Sequence, residues 1–165
     1  MQRCYKYFCK AFNKIGMKKI ILVFAVTFIL ISCKKETTTK FDSFAFGTSY
    51  GFCVGNCANF FLIEGDNLFA DDMERITTPL KFKLDKLSVG KYNLAKQLLA
   101  NFPTYLKQNP NKTFGCPDCA DQGSIYIETT INGKTETWLI DTDTTKQPAQ
   151  IRNYINDLRA ILAQL

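Results

Sequence analysis

One hundred and sixty-five residues suit a single domain, and a net charge of +6 with no histidine narrows what that domain can do. Six of the 21 basic residues (Arg3, Lys6, Lys10, Lys14, Lys18, Lys19) precede residue 20 and none of the 15 acidic residues does, so the remainder carries equal numbers of each sign. A neutral, mixed-sign domain lacks a footprint for nucleic acid, and the missing histidine removes the usual general base, the Ser-His-Asp and Cys-His arrangements and the commonest metal ligand.

The first element is an uncharged run, Ile20 to Ile31 (IILVFAVTFILI), preceded by Lys18-Lys19 and followed by Ser32-Cys33-Lys34-Lys35. Charged, then apolar, then small is the order of a secretory signal, and the run falls short of the about 20 residues that a membrane span needs. Its end, Leu30-Ile31-Ser32-Cys33, resembles the lipobox of bacterial lipoproteins. The resemblance implies a diacylglycerol on the Cys33 thiol, cleavage after Ser32 and acylation of the new amino terminus. It further implies a protein of the cell envelope held on a membrane, with Lys34-Lys35 in place of aspartate directing it to the periplasmic face of the outer membrane. Residues 1–32 read as the signal peptide; signals of this type begin close to their lysines, so Met17 reads as the true start and residues 1–16 as an upstream over-extension. Residues 33–40 become the lipidated cysteine and a polar tether, and at about 3.4 Å per extended residue that tether reaches no more than about 25 Å. Residues 41–165 form the domain.

Within the domain, Phe44, Phe46, Thr48 and Tyr50 alternate with small residues, the period of a strand. Asn59 to Glu64 and Asn67 to Ala70 flank Gly65-Asp66 as a hairpin, and Leu80 to Leu84 alternates with lysines as a further strand. Tyr92 to Phe102 has helical spacing and should stop at Pro103. Ser124 to Asp141 is a hairpin with Asn132-Gly133 as a type I′ turn. This register sets Ile131 opposite Lys134, Ile127 opposite Trp138 and Ile125 opposite Ile140. Pro148 to Leu165 carries Ile151, Tyr154, Ile155, Leu158 and Leu162 on one stripe, which makes a terminal helix packed on the sheet. The expected fold is α+β, a mainly antiparallel sheet of about five to six strands with two helices.

Four cysteines remain for the domain, Cys53, Cys57, Cys116 and Cys119, all in glycine-flanked loops between strands. Three chemistries compete for them. Disulfides suit an oxidising compartment. Loop entropy favours a long-range pair, worth roughly 4 kcal/mol for about 60 residues, over a five-residue loop worth roughly 2 kcal/mol. A tetrathiolate zinc site is the alternative, since Cys116-Pro117-Asp118-Cys119 resembles one knuckle of a zinc ribbon, although Ala120 stands where glycine is usual. The third is thiol-disulfide exchange, opposed by Asp118 and Asp121, whose charge disfavours a thiolate.

Trp138 to Thr145 resembles the strand and D-x-D-x-T motif of haloacid-dehalogenase-type phosphatases. That motif opens a parallel domain, whereas here it closes a hairpin near the chain's end, so Asp141 and Asp143 read better as turn and cap residues than as a weak calcium or magnesium site. Asp71-Asp72-Met73-Glu74 reads as a solvated turn. The sum is a membrane-anchored binding or structural module stapled by cysteines, with no catalytic constellation and no cofactor unless zinc, and with an unknown protein or small ligand as partner.

Overall fold

A computed structural model describes residues 41–165, so the expected signal peptide, Cys33 and the tether lie outside the described residues. In chain order the elements are β1 (Ser43–Ser49), β2 (Ala58–Glu64), β3 (Asn67–Asp71), β4 (Phe82–Lys86), α1 (Val89–Ala100), α2 (Thr104–Gln108), β5 (Lys112–Phe114), β6 (Ser124–Ile131), β7 (Lys134–Asp141) and α3 (Ala149–Leu162), with a 3₁₀ turn at Thr144–Lys146. The strands make one seven-stranded sheet in the order β4-β3-β2-β1-β6-β7-β5. Every neighbouring pair is antiparallel except β5 with β7. The architecture is α+β, as the segment order implies.

Alternation in β1 sets the two faces. Phe44 and Phe46 point to one side, and Phe46 stands opposite both Phe61 of β2 and Ile127 of β6. This face, with Ile63, Ile125 and Ile140, is buried beneath the apolar stripes of α1 and α3 in a single core. The α3 stripe is Ile151, Tyr154, Ile155, Leu158, Ile161 and Leu162, with Arg152, Asp157 and Arg159 outside. The β6–β7 hairpin has the expected register, and both turn residues take positive φ, Asn132 at 52° and Gly133 at 74°. The Ser88 hydroxyl accepts the Lys91 N–H and starts α1 three residues ahead of its apolar stripe.

The strand and helix counts exceed expectation by short elements. β5 has three residues, too few for any periodicity, and exists because it lies parallel to β7 with Phe114 opposite Ile140. Pro103, read as a stop, ends α1 but also initiates α2, since its fixed φ suits a helix start. β4 begins two residues later than the alternation suggested. Its pairing with β3 is irregular between Phe69 and Asp71, and that bulge turns Leu84 out, 96% exposed. An irregular strand carrying Lys83 and Lys86 protects the sheet edge from further pairing.

The second face is covered only in part. Phe60 is fully buried there beneath Met73, with Leu80, Phe82 and Tyr126 around it. The segment read as a solvated turn thus contributes Met73 to a core. It is drawn in by Asp71, whose carboxylate accepts the Phe60 N–H at 2.8 Å and the Met73 N–H at 3.1 Å. Phe60 lies against Gly47, and a Cβ there would come within 2.7 Å of the Phe60 Cα and ring. Gly47→Ala is therefore expected to destabilise the domain by about 1–3 kcal/mol through overpacking against backbone, read as a lower urea midpoint with an unchanged slope. An unchanged midpoint would mean that Phe60 does not need the bare glycine.

Candidate functional site

Pairing of Ser49 with Ala58 and Ser124, and of Ser124 with Asp141, gathers three loops at one end of the sheet: 50–57, 115–123 and 142–148. All four domain cysteines lie in the first two. They pair locally, Cys53 with Cys57 (Cα–Cα 5.7 Å) and Cys116 with Cys119 (5.5 Å). Loop entropy pointed to a long-range pair instead. That entropy belongs to the unfolded chain, whereas connectivity follows which sulfurs the folded loops hold within reach, and each tight turn closes on itself. With the sulfurs paired, the arrangement here is two staples and not the tetrathiolate.

The first loop is held from several directions. The Tyr50 N–H donates to the Cys57 carbonyl at 3.0 Å and the Cys57 N–H to that of Glu74 at 2.7 Å. The Arg75 guanidinium donates to the carbonyls of Gly51 at 3.1 Å and Cys53 at 2.7 Å. The Gly51 N–H donates to the Asp118 carboxylate of the second loop at 2.6 Å. A loop fixed in this way nevertheless presents Phe52 at 85% exposure and Val54 fully to solvent, with Tyr50 and Ile76 also exposed.

The second loop is organised by carboxylates. Asp118, at φ 58°, accepts the Gly123 N–H at 3.0 Å, and Gln122 donates to the Cys116 carbonyl at 2.9 Å. Asp141 is fully buried at the end of β7 and accepts the N–H groups of Cys116 and Asp143, both at 2.8 Å, and the Gln122 amide at 3.3 Å. Gly115, at φ 77°, leaves room for it, since a Cβ would lie 2.9 Å from the Asp141 carboxylate. Burial alone would push the Asp141 carboxyl up. The Asp143 and Cys116 N–H groups, the Gln122 amide and the nearby Lys146 charge outweigh it and hold the pKa below the ordinary 3.8. Asp143 is lowered too, by the Thr145 hydroxyl and N–H that it caps.

Asp141 and Asp143, considered for a hard cation, are thus spent on backbone N–H groups. Among the described residues no group of three or more His, Cys, Asp or Glu side chains is placed to hold a metal. Both Cys116 and Cys119 are exposed, while Cys57 is buried. Because backbone N–H bonds to Asp118 and Asp141 and the bond from the Gln122 amide to the Cys116 carbonyl shape the second loop independently of its sulfurs, mild dithiol treatment is expected to open the exposed Cys116–Cys119 first and leave the fold intact. Differential alkylation with mass spectrometry and the Trp138 fluorescence would check this, and simultaneous opening of both bonds with loss of structure would contradict it.

Sequence reading located the two cysteine loops but missed Arg75, whose partners are more than 20 residues away, and the outward placement of Phe52 and Val54. Beside the first loop lies a depression of about 460 Å³ lined by Gly55, Asn56, Asp71, Asp72, Glu74 and Lys83, among others. No helix among the described residues is long and apolar enough to cross a membrane. No protein-family model matches the chain, and no curated protein matches it in sequence.

Proposed function

We propose that the chain is a lipid-anchored protein of the bacterial cell envelope whose 41–165 domain is a non-enzymatic binding module. The observation that carries this reading is the pair of disulfides, Cys53–Cys57 and Cys116–Cys119, which suit a domain exported to an oxidising compartment. The order of charged, apolar and lipobox-like segments ending at Cys33 agrees with it. Anchoring by two or more acyl chains is stable without any apolar helix in the domain. At the stapled rim the carboxylates Asp118 and Asp141 each accept backbone N–H groups, which leaves them as loop supports and not as acid-base groups.

β1 begins at Ser43, close behind the tether, and ends at Ser49 beside the first stapled loop. Seven residues at about 3.3 Å each put the rim about 20 Å beyond the point where the tether enters.

Intact mass of the full chain, extracted from the membranes of a diderm bacterial host, tests the anchor. The expected species begins at Cys33 and carries a diacylglycerol and an amide-linked acyl chain, and Cys33→Ala remains uncleaved. An unmodified Cys33 in the soluble fraction would overturn the proposal.

A further inference from the structure

We propose that the Cys116–Cys119 bond is a redox switch, opened and closed by dithiol proteins of the compartment, whose state sets how firmly the second rim loop holds the first. The switch requires neither the lipid anchor nor the binding-module reading.

Access separates the two disulfides. Thiol–disulfide exchange needs an incoming thiolate to reach a sulfur. Cys116 and Cys119 are both exposed, whereas Cys57 is 2% exposed and Cys53 is half-buried. The backbone of that first pair is also tied down, the Cys57 N–H to the Glu74 carbonyl and the Cys53 carbonyl to the Arg75 guanidinium. At the second pair, a thiolate of the incoming dithiol attacks one exposed sulfur, the Cys116–Cys119 bond breaks and a mixed disulfide forms. The donor's second thiol then displaces the protein. The donor leaves as a disulfide, and Cys116 and Cys119 keep the two electrons and two protons as thiols. An oxidised donor runs the same steps in reverse.

Asp118 carries the state of that bond to the first loop. It sits inside the short ring that the disulfide closes, with φ at 58°, in the left-handed region that residues other than glycine adopt uncommonly. Its carboxylate accepts the Gly123 N–H within its own loop at 3.0 Å and the Gly51 N–H of the first loop at 2.6 Å. Among the described residues, the bond to Gly51 is the one hydrogen bond that joins loops 50–57 and 115–123. Opening the ring removes the covalent closure around Asp118, while Asp141 and Gln122 still hold Cys116 at the base of the loop. The bridge to Gly51, 67 positions away in the chain, is therefore the contact that lapses, and the sheet beneath keeps its structure.

Purified full-length protein in detergent supplies the test, with reduced thioredoxin as the dithiol probe and amide exchange in glycine-labelled protein, followed by NMR, as the output. Thioredoxin is expected to open Cys116–Cys119 and leave Cys53–Cys57 closed, as read by alkylation and mass. Exchange at Gly51 should then rise about tenfold or more, the consequence of losing a hydrogen bond to a carboxylate, and should already be raised in Cys116→Ser/Cys119→Ser. In Asp118→Ala the rate should be high from the start and reduction should add nothing. Gly47, paired within the sheet, is the internal reference and should not change. Alkylation of acid-quenched cells should find Cys116 and Cys119 in both states. The proposal falls if Gly51 exchanges at one rate in oxidised and reduced protein, if Gly47 accelerates with it, or if Asp118→Ala still responds to reduction. It falls equally if thioredoxin opens neither bond or Cys53–Cys57 first, or if the bond is closed in every molecule from both aerobic and anaerobic cells. Each of these outcomes leaves the Cys33 anchor to its own mass measurement.

Discussion

Trp138→Ala is expected to cost about 3–5 kcal/mol, a large part of the stability of a domain of this size. The indole is 1% exposed, packs edge-on to Phe102 with ring centroids 5.5 Å apart and stands opposite Ile127 in the hairpin. Its Nε1–H donates to the Asn109 carbonyl at 2.7 Å, which ties the segment after α2 to the sheet just before β5. Trp138→Phe keeps most of the apolar volume and removes that bond, leaving the carbonyl without its donor, so a loss of about 1–3 kcal/mol is expected. Far-ultraviolet melts of the three proteins separate the two contributions. Equal losses for alanine and phenylalanine would assign the effect to the hydrogen bond, and a parent-like melt for alanine would remove Trp138 from the core.

Asp141→Ala is expected to lower stability by about 2–4 kcal/mol at neutral pH, because it strands the N–H groups of Cys116 and Asp143 where water does not reach the carboxylate. The loss depends on pH with a definite sign. The folded carboxyl titrates below its ordinary value of 3.8, so its contribution is full above about pH 4 and is lost as pH falls through the folded value. Asp143, lowered in the same direction, adds to that slope. Urea midpoints of the parent and of Asp141→Asn should therefore differ most near neutrality and converge in acid. A gap that widens on acidification would show that the carboxylate is not the group being titrated.

Much of the core was legible because its side chains repeat at the period of their element. The β6–β7 hairpin is the clearest case: Asn132-Gly133 specifies a two-residue turn, the turn sets the register, and the register puts Ile125, Ile127, Trp138 and Ile140 on one face. The α3 stripe was legible for the same reason at the helical period. β5, α2 and the displacement of β4 were not, because three to five residues carry no period and their positions follow from neighbours distant in sequence. The disulfide pairing likewise could not be read from spacing, since loop entropy ranks connectivities in the unfolded chain and says nothing of which sulfurs a turn brings together.

Local chemistry in the sequence determined that the excess basic charge lies before residue 20, that the remainder carries equal numbers of each sign and no histidine, and that four of its cysteines sit in two short loops between strands. Only the tertiary structure decided that these loops lie side by side at one end of the sheet, that each is stapled to itself, and that Arg75, Asp118 and Asp141 brace them. The reason is one of range. Periodicity, turns and charge act over a few residues and are written along the chain, whereas the bracing hydrogen bonds join residues 22 to 67 positions apart and come into being only when the sheet closes.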